Sequence, residues 1–272
     1  MRIRTVDAFT DRPFTGNPAG VLLFGPEGFP EDGSLQRVAA ELNLSETAFA
    51  HPLPPGGAAD WALRWFTPVT EVDMCGHATL ATAHVLHTTK AASGTVRFAA
   101  RCGTLTSTVR PDGSVTLDFP TAPLTPEAAP AGLAEALGAE ALSVHDTGPH
   151  IGDLLVELED EATVRGLAPD FAALAARSRR GVIATAAAAQ GGAYDYVSRG
   201  FFPRVGIDED PVTGSAHTAL APFWSARLGR DELTGLQASA RSGLVRTSLR
   251  GPRTLLTGHA VTVLDGELLV AP

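Results

Sequence analysis

Glu46 is the single charged residue in the stretch NLSETAFA at 43–50. A carboxylate partly shielded from water there would have its pKa lifted toward the working range, as a group that takes a proton from carbon and returns it requires. The same residue also reads as a solvated junction between a helix and a strand. His77 follows Gly76 and can donate or accept near neutrality, or simply hydrogen-bond a loop. Asp210 stands five residues before Ser215 and is followed by Pro211; it could anchor an ammonium or hydroxyl, or serve a helix dipole within the acidic run 208–210. Gly76-His77 and Gly214-Ser215 each open an apolar helix. The unpaired N–H groups and positive dipole end of such a start suit a carboxylate, and glycine lets the anion come close to the backbone. A substrate carboxylate held without Arg or Lys is the expectation.

Other chemistry is poorly served. His77, His84 and His87 share a helix, but no closely spaced Asp, Glu or Cys completes a metal set, so no metal is expected. There is no G-x-S-x-G, Walker or G-x-G-x-x-G segment. Of 21 basic residues only Lys90 is a lysine, which leaves a Schiff-base cofactor one candidate; no cofactor is expected. A net charge of −9 is the wrong sign for phosphate-rich partners, so neither nucleic acid nor an anionic membrane is expected as a partner. Arg177, Arg179 and Arg180 read as a solvated helix end. Cys75 and Cys102 match no zinc or redox spacing and suit a reducing compartment. With no secretory-type apolar stretch behind MRIRTVDAF and no run of about 20 apolar residues, the expected location is cytoplasmic.

The elements that must position these groups are partly legible. Ile3 and Val6 open with strand-like alternation, GNPAG at 16–20 reads as a turn, and 21–24 as a strand. Leu35, Val38, Ala39 and Leu42 recur at helical spacing over 32–42. The segment 78–86 is apolar on nearly every side, the mark of an enclosed helix. Four prolines within 120–130 should stop strands and helices alike, and place a boundary there. Across it a weak repeat appears, with Phe66, Pro68 and Gly76-His77-Ala78 answering Phe202-Pro203 and Gly214-Ser215-Ala216. The expected architecture is α+β. It comprises two similar domains, 1–120 and 121–272, each a mixed or antiparallel β-roll or barrel wrapped around a central helix, at about 77–88 and about 215–228. The last strand is allowed to return to the first domain. Pro222 should kink or end the second helix early, and Asp265-Gly266 should turn a closing hairpin between 261–264 and 267–270.

The strings DAFTDRPFTGNPAGV (7–21), NLSETAF (43–49), FTPVTEVDMCGHATLATAHVL (66–86), DPVTGSAHTALA (210–221) and GHAVTVLDGEL (258–268) together resemble the phenazine-biosynthesis PhzF-like family, in order over nearly the whole chain. The resemblance implies a diaminopimelate epimerase-like fold with an active site between the domains. It further implies a cofactor-independent isomerase in which a glutamate at Glu46 shuttles a proton between carbons of a small carboxylate-bearing substrate. His77 and Asp210 match the family's polar site residues, and Gly76, Gly214 and Ser215 its carboxylate-binding backbone. Relatives imply a homodimer. Cys75 in Cys-Gly-His also resembles the first catalytic cysteine motif of proline racemases and diaminopimelate epimerases, but Pro211 stands where a second thiol would be. Epimerase or lyase chemistry through Cys75 is one alternative, and a non-catalytic metabolite-binding protein another.

Overall fold

The computed structural model describes residues 1–269 and divides into two compact units: Met1–Asp118 with the returning chain from Thr257, and Phe119–Leu256. Among the described residues no helix is long and apolar enough to cross a membrane.

The first unit contains β1 (Arg2–Ala8), β2 (Asn17–Leu23), α1 (Asp32–Leu42), β3 (Glu46–Pro52), β4 (Trp61–Phe66), β5 (Glu71–Val72), α2 (Gly76–Thr88), β6 (Thr95–Ala100), β7 (Gly103–Val109) and most of β8 (Val115–Pro120). Its sheet is mixed: β1 with β2, β3 with β4 and β6 with β7 run antiparallel, while β2 with β3 and β4 with β6 run parallel. The helix α2 is buried on almost every side from His77 to Leu86 and packs against β1, β2, β3 and β7. Such a helix needs protein around its whole circumference, and the rolled strands supply it.

The second unit holds β9 (Thr125–Glu127), α3 (Leu133–Leu137), β10 (Ser143–Asp146), β11 (Asp153–Glu157), α4 (Glu161–Gly166), α5 (Phe171–Ala175), β12 (Gly181–Ala187), β13 (Tyr196–Phe202), β14 (Ile207–Asp210), α6 (Gly214–Leu228), β15 (Glu232–Gln237), β16 (Gly243–Arg250) and most of β17 (Arg253–Gly258). Strand alternation sorts its core into two layers. Leu155, Ile183 and Tyr196 face α6 with Leu220, Phe223 and Trp224. Their neighbours Leu154, Val156, Val182, Ala184 and Val197 turn the other way, under the short helices α3 to α5 with Leu137, Val164 and Leu174. Each unit thus has one long helix that begins with glycine and is enclosed by strands, and the fold class is mixed α+β.

The closing strand β18 (Ala260–Glu267) returns to the first unit, as the expected architecture allowed. No hairpin forms at Asp265-Gly266. The strand runs straight through that dipeptide, pairing Gly266 with Ile3 and Asp265 with Arg4, and the Asp265 carboxylate accepts two bonds from Arg2. Pairing with β1 satisfies the backbone that a turn would have folded back; Val270, the far end of the expected hairpin, lies outside the described residues. Similarly the turn in GNPAG ends at Gly16, whose φ of +68° and 2.3 Å Cβ approach to the Ala8 carbonyl demand glycine, and Asn17 already starts β2. The proline-rich stretch carries a three-residue edge strand, β9, with Pro126 opposite His145.

Pro222 does not end α6, which continues to Leu228. Its missing N–H leaves the Thr218 carbonyl without the usual helical donor, and Ala122 N–H, from the proline-rich stretch, donates to that oxygen at 3.2 Å. The lost bond is replaced from outside the helix.

Candidate active site

Strands β2 and β3 lie parallel with Ala19 opposite Glu46, so Asn17 and Glu46 sit at the same end of the pair, where α2 begins. Asn43 reverses the chain after α1 in a left-handed conformation, its N–H donating to Ala39 O, and this delivers Glu46 to the strand start. His77 Nε2 is 3.3 Å from Glu46 Oε2, with the two side chains only 5% and 14% exposed. On the other side of the ring, Nδ1 is 3.3 Å from Asn17 Nδ2 and 3.5 Å from Cys75 Sγ. Asn17 Nδ2 can donate to Nδ1 when that ring nitrogen carries no proton. Asn17 thus orients the ring, and Nε2 lies beside the Glu46 carboxylate. Cys75 is the residue before α2 and its side chain makes no capping bond to the first turn. Glu46, Cys75 and His77 each offer a donor atom within 4.8 Å of the others, a set that could also hold a metal ion. The histidine trio does not assemble: His84 Nε2 bonds Thr262 on β18, and His87 is exposed.

In the second unit Asp210 ends β14, buried, and Oδ2 accepts from the Thr213 hydroxyl at 2.5 Å. Thr213 precedes α6, yet its side chain makes no capping bond. Gly214 and Ser215 form the first turn. Arg180, expected at a solvated helix end, is instead a half-buried residue just before β12: Nε and Nη2 donate to the two Asp153 oxygens at 2.8 Å, Nη2 also reaches Ser215 Oγ at 3.2 Å, and the guanidinium lies 5.0 Å from the Phe202 ring centre. A guanidinium therefore stands beside the start of α6, where a site free of Arg and Lys was expected. Burial drives the Asp153 carboxyl above the usual carboxylate range, with Arg180 opposing that drive.

Deeper in the same unit, Tyr196 Oη and His217 Nδ1 are 2.9 Å apart. Burial pushes His217 down to about 3. Between that value and the ordinary one near 6.5, the unfolded chain takes up a proton that the folded imidazole refuses, so His217 makes stability fall as pH falls, at about 1.4 kcal/mol per pH unit. Urea titrations at pH 7 and pH 5 should show wild type losing about 2 kcal/mol more than His217→Gln over that interval; equal losses would contradict the assignment.

The profile of the PhzC-PhzF family, described as phenazine biosynthesis-like protein, matches residues 6–266. The chain belongs to the PhzC-PhzF family. A family relative named as an uncharacterized isomerase of Pseudomonas aeruginosa is 48% identical over 270 residues, covering 98% of both chains. The crystal structure of a PhzF-family phenazine biosynthesis protein from Enterococcus faecalis superposes with a TM-score of 0.90 at 38% identity, covering 99% of each chain. A hydroxyproline epimerase from Agrobacterium vitis shares the fold, at TM-score 0.59 and 12% identity, over 98% of this chain and 91% of that one.

Of the residues expected at a site in this PhzC-PhzF chain, Glu46, Cys75, Gly76 and His77 come together in the first unit, and Asp210, Gly214 and Ser215 in the second. Sequence reading missed Asn17, Thr213, Gln237 and Arg180. Asn17 lay inside a string read as a turn, and Thr213 inside the quoted DPVTGS segment. Gln237 and Arg180 are far from their partners along the chain and carried no local signal.

Proposed function

We propose that this protein is an isomerase that moves a proton between carbons of a small carboxylate-bearing metabolite, without a cofactor, using Glu46 as general acid and base. The observation that carries the reading is the largely shielded Glu46–His77 pair at the amino end of α2, where an acidic side chain, an imidazole and the positive end of a helix meet. The name of the Pseudomonas aeruginosa relative supports the isomerase class. In this reading Glu46 removes the proton and returns it elsewhere on the same molecule. In the first unit His77 is assigned to a polar group of the substrate and the Gly76 N–H to a carboxylate; in the second unit Asp210 is assigned to a polar group and the Gly214 and Ser215 N–H groups to a carboxylate, with the Ser215 hydroxyl bonded by Arg180.

The test is a screen of small amino and hydroxy acids for carbon-bound deuterium after incubation with chelator-treated protein in heavy water, with nothing else added. Incorporation into a carboxylate-bearing compound, with conversion to its isomer, is expected; a screen in which wild type labels nothing would end the proposal. One observation favours a second reading: Cys75 Sγ lies 3.5 Å from His77 Nδ1, close enough to pass a proton to the ring and act as the base of an epimerase or lyase. Cys75→Ser separates the two. Labelling should survive it if Glu46 is the base, and should disappear if the thiol is.

A further inference from the structure

Gln237 is the last residue of β15 and its side chain is fully buried. Three hydrogen bonds tie it to the Asp210–Thr213 corner, and His217 lies beside the same amide: Oε1 accepts from Thr213 N–H at 2.8 Å, while Nε2 donates to the Asp210 carbonyl at 2.8 Å and to Thr213 Oγ1 at 3.1 Å. The orientation of the amide is dictated, because a flip would set an oxygen against two acceptors and an NH₂ against an N–H. The Thr213 hydroxyl has one proton, which goes to Asp210 Oδ2. Gln237 Nε2 takes one of its two accepting sites, and the two bonds together fix the orientation of the side chain. That explains a local anomaly, since threonine directly before a helix is a favoured capping residue, yet this one leaves the first turn of α6 uncapped.

We propose that Gln237 is a positioning residue for Asp210: it holds the Asp210 carbonyl and, through the Thr213 hydroxyl, its carboxylate, and it keeps that hydroxyl from capping α6. The first-turn N–H groups at Gly214, Ser215 and Ala216 are thereby reserved for an anion rather than for the protein's own threonine. The consequence for catalysis rests on the reading of Asp210 and the α6 start given above; the geometric claim does not.

Amide hydrogen exchange tests the geometric claim without a substrate. In Gln237→Leu the Thr213 side chain loses a bond that fixes its orientation and can turn to cap the helix, so exchange at Ser215 or Ala216 should slow by about five-fold, the size of a typical cap. General loosening would have the opposite sign, and unchanged or faster exchange there overturns the proposal. Adding Thr213→Val to Gln237→Leu should abolish the gain. Should Gln237→Leu not fold, Gln237→Glu carries the test. Its protonated acid can still donate, whereas its ionised form can only accept, so slow exchange should appear as pH rises. The titratable groups facing position 237 are Asp210 from β14 and His217 from α6, with Tyr196 one bond further on. A pH-independent pattern in that variant counts against the proposal.

With a substrate from the deuterium screen, Gln237→Leu and Thr213→Val should each lower kcat by roughly 10-fold to 100-fold, as a misplaced orienting group does. The double variant should cost no more than the worse single one. If Asp210→Asn turns over like wild type, the functional reading of Asp210 fails while the exchange result stands. If Asp210→Asn is crippled and Gln237→Leu is not, the positioning role fails.

Discussion

Glu46→Gln is expected to lower deuterium incorporation at the substrate carbon by roughly 10²-fold to 10⁴-fold, the usual contribution of a positioned acid or base. The change preserves volume and keeps a polar group 3.3 Å from His77 Nε2, where the carboxylate oxygen lies in the native chain. Folding should therefore be indistinguishable by thermal melt, and competitive binding of an unreactive carboxylate should be retained, because the groups assigned to the carboxylate are backbone N–H groups at the helix starts. What the variant lacks is basicity. Turnover at the wild-type rate would exclude Glu46 as the base and turn attention to Cys75, whose Sγ lies within 4.8 Å of the Glu46 carboxylate. Loss of both turnover and carboxylate binding would point to a collapsed site.

The largest effect on stability is expected from Arg180→Met. Asp153 has a side chain with no exposure, and its two oxygens are met by one guanidinium that is 35% exposed. Removing the cation leaves a buried carboxylate without its counter-charge, which in buried pairs costs about 3–5 kcal/mol; the partial exposure of Arg180 puts the expected loss near the lower figure, about 3 kcal/mol. Burial favours the protonated acid, so in the variant the folded state holds its proton more tightly than the unfolded chain does. The sign follows: the deficit is largest at high pH and shrinks as pH falls toward the unfolded carboxylate range. Urea midpoints at pH 8 and pH 5 measure it, and a deficit that grew on acidification would contradict this account. Arg180→Met together with Asp153→Leu should regain most of the loss, because no charge is then left buried.

Local pattern was sufficient where one element decides its own fate. The helix over 32–42 and the enclosed helix after Cys75 follow from periodicity and from the absence of polar faces, and Glu46 falls at a junction because Asn43 stops α1. Patterns failed where a distant strand competed for the backbone. Asp265-Gly266 is a strong turn signal in isolation, yet β1 offers pairing along its whole length. Arg180 looked like one of several solvated arginines, since nothing nearby in the sequence reveals that Asp153 is buried opposite it. The site divides in the same way. Glycine followed by an apolar helix marks where an anion could dock, whereas Asn17 and Gln237 matter only through bonds to residues distant in the chain.

The bond from Ala122 to the Thr218 carbonyl gives the proline-rich stretch a duty that its composition conceals. A proline-rich stretch can ordinarily be lengthened or cut at little cost, but here the length of chain just after β8 serves as a missing rung of a helix in its own unit. Inserting residues immediately before position 122 would unhook that rung and be felt along α6, whereas insertions beyond β9 would be absorbed as slack.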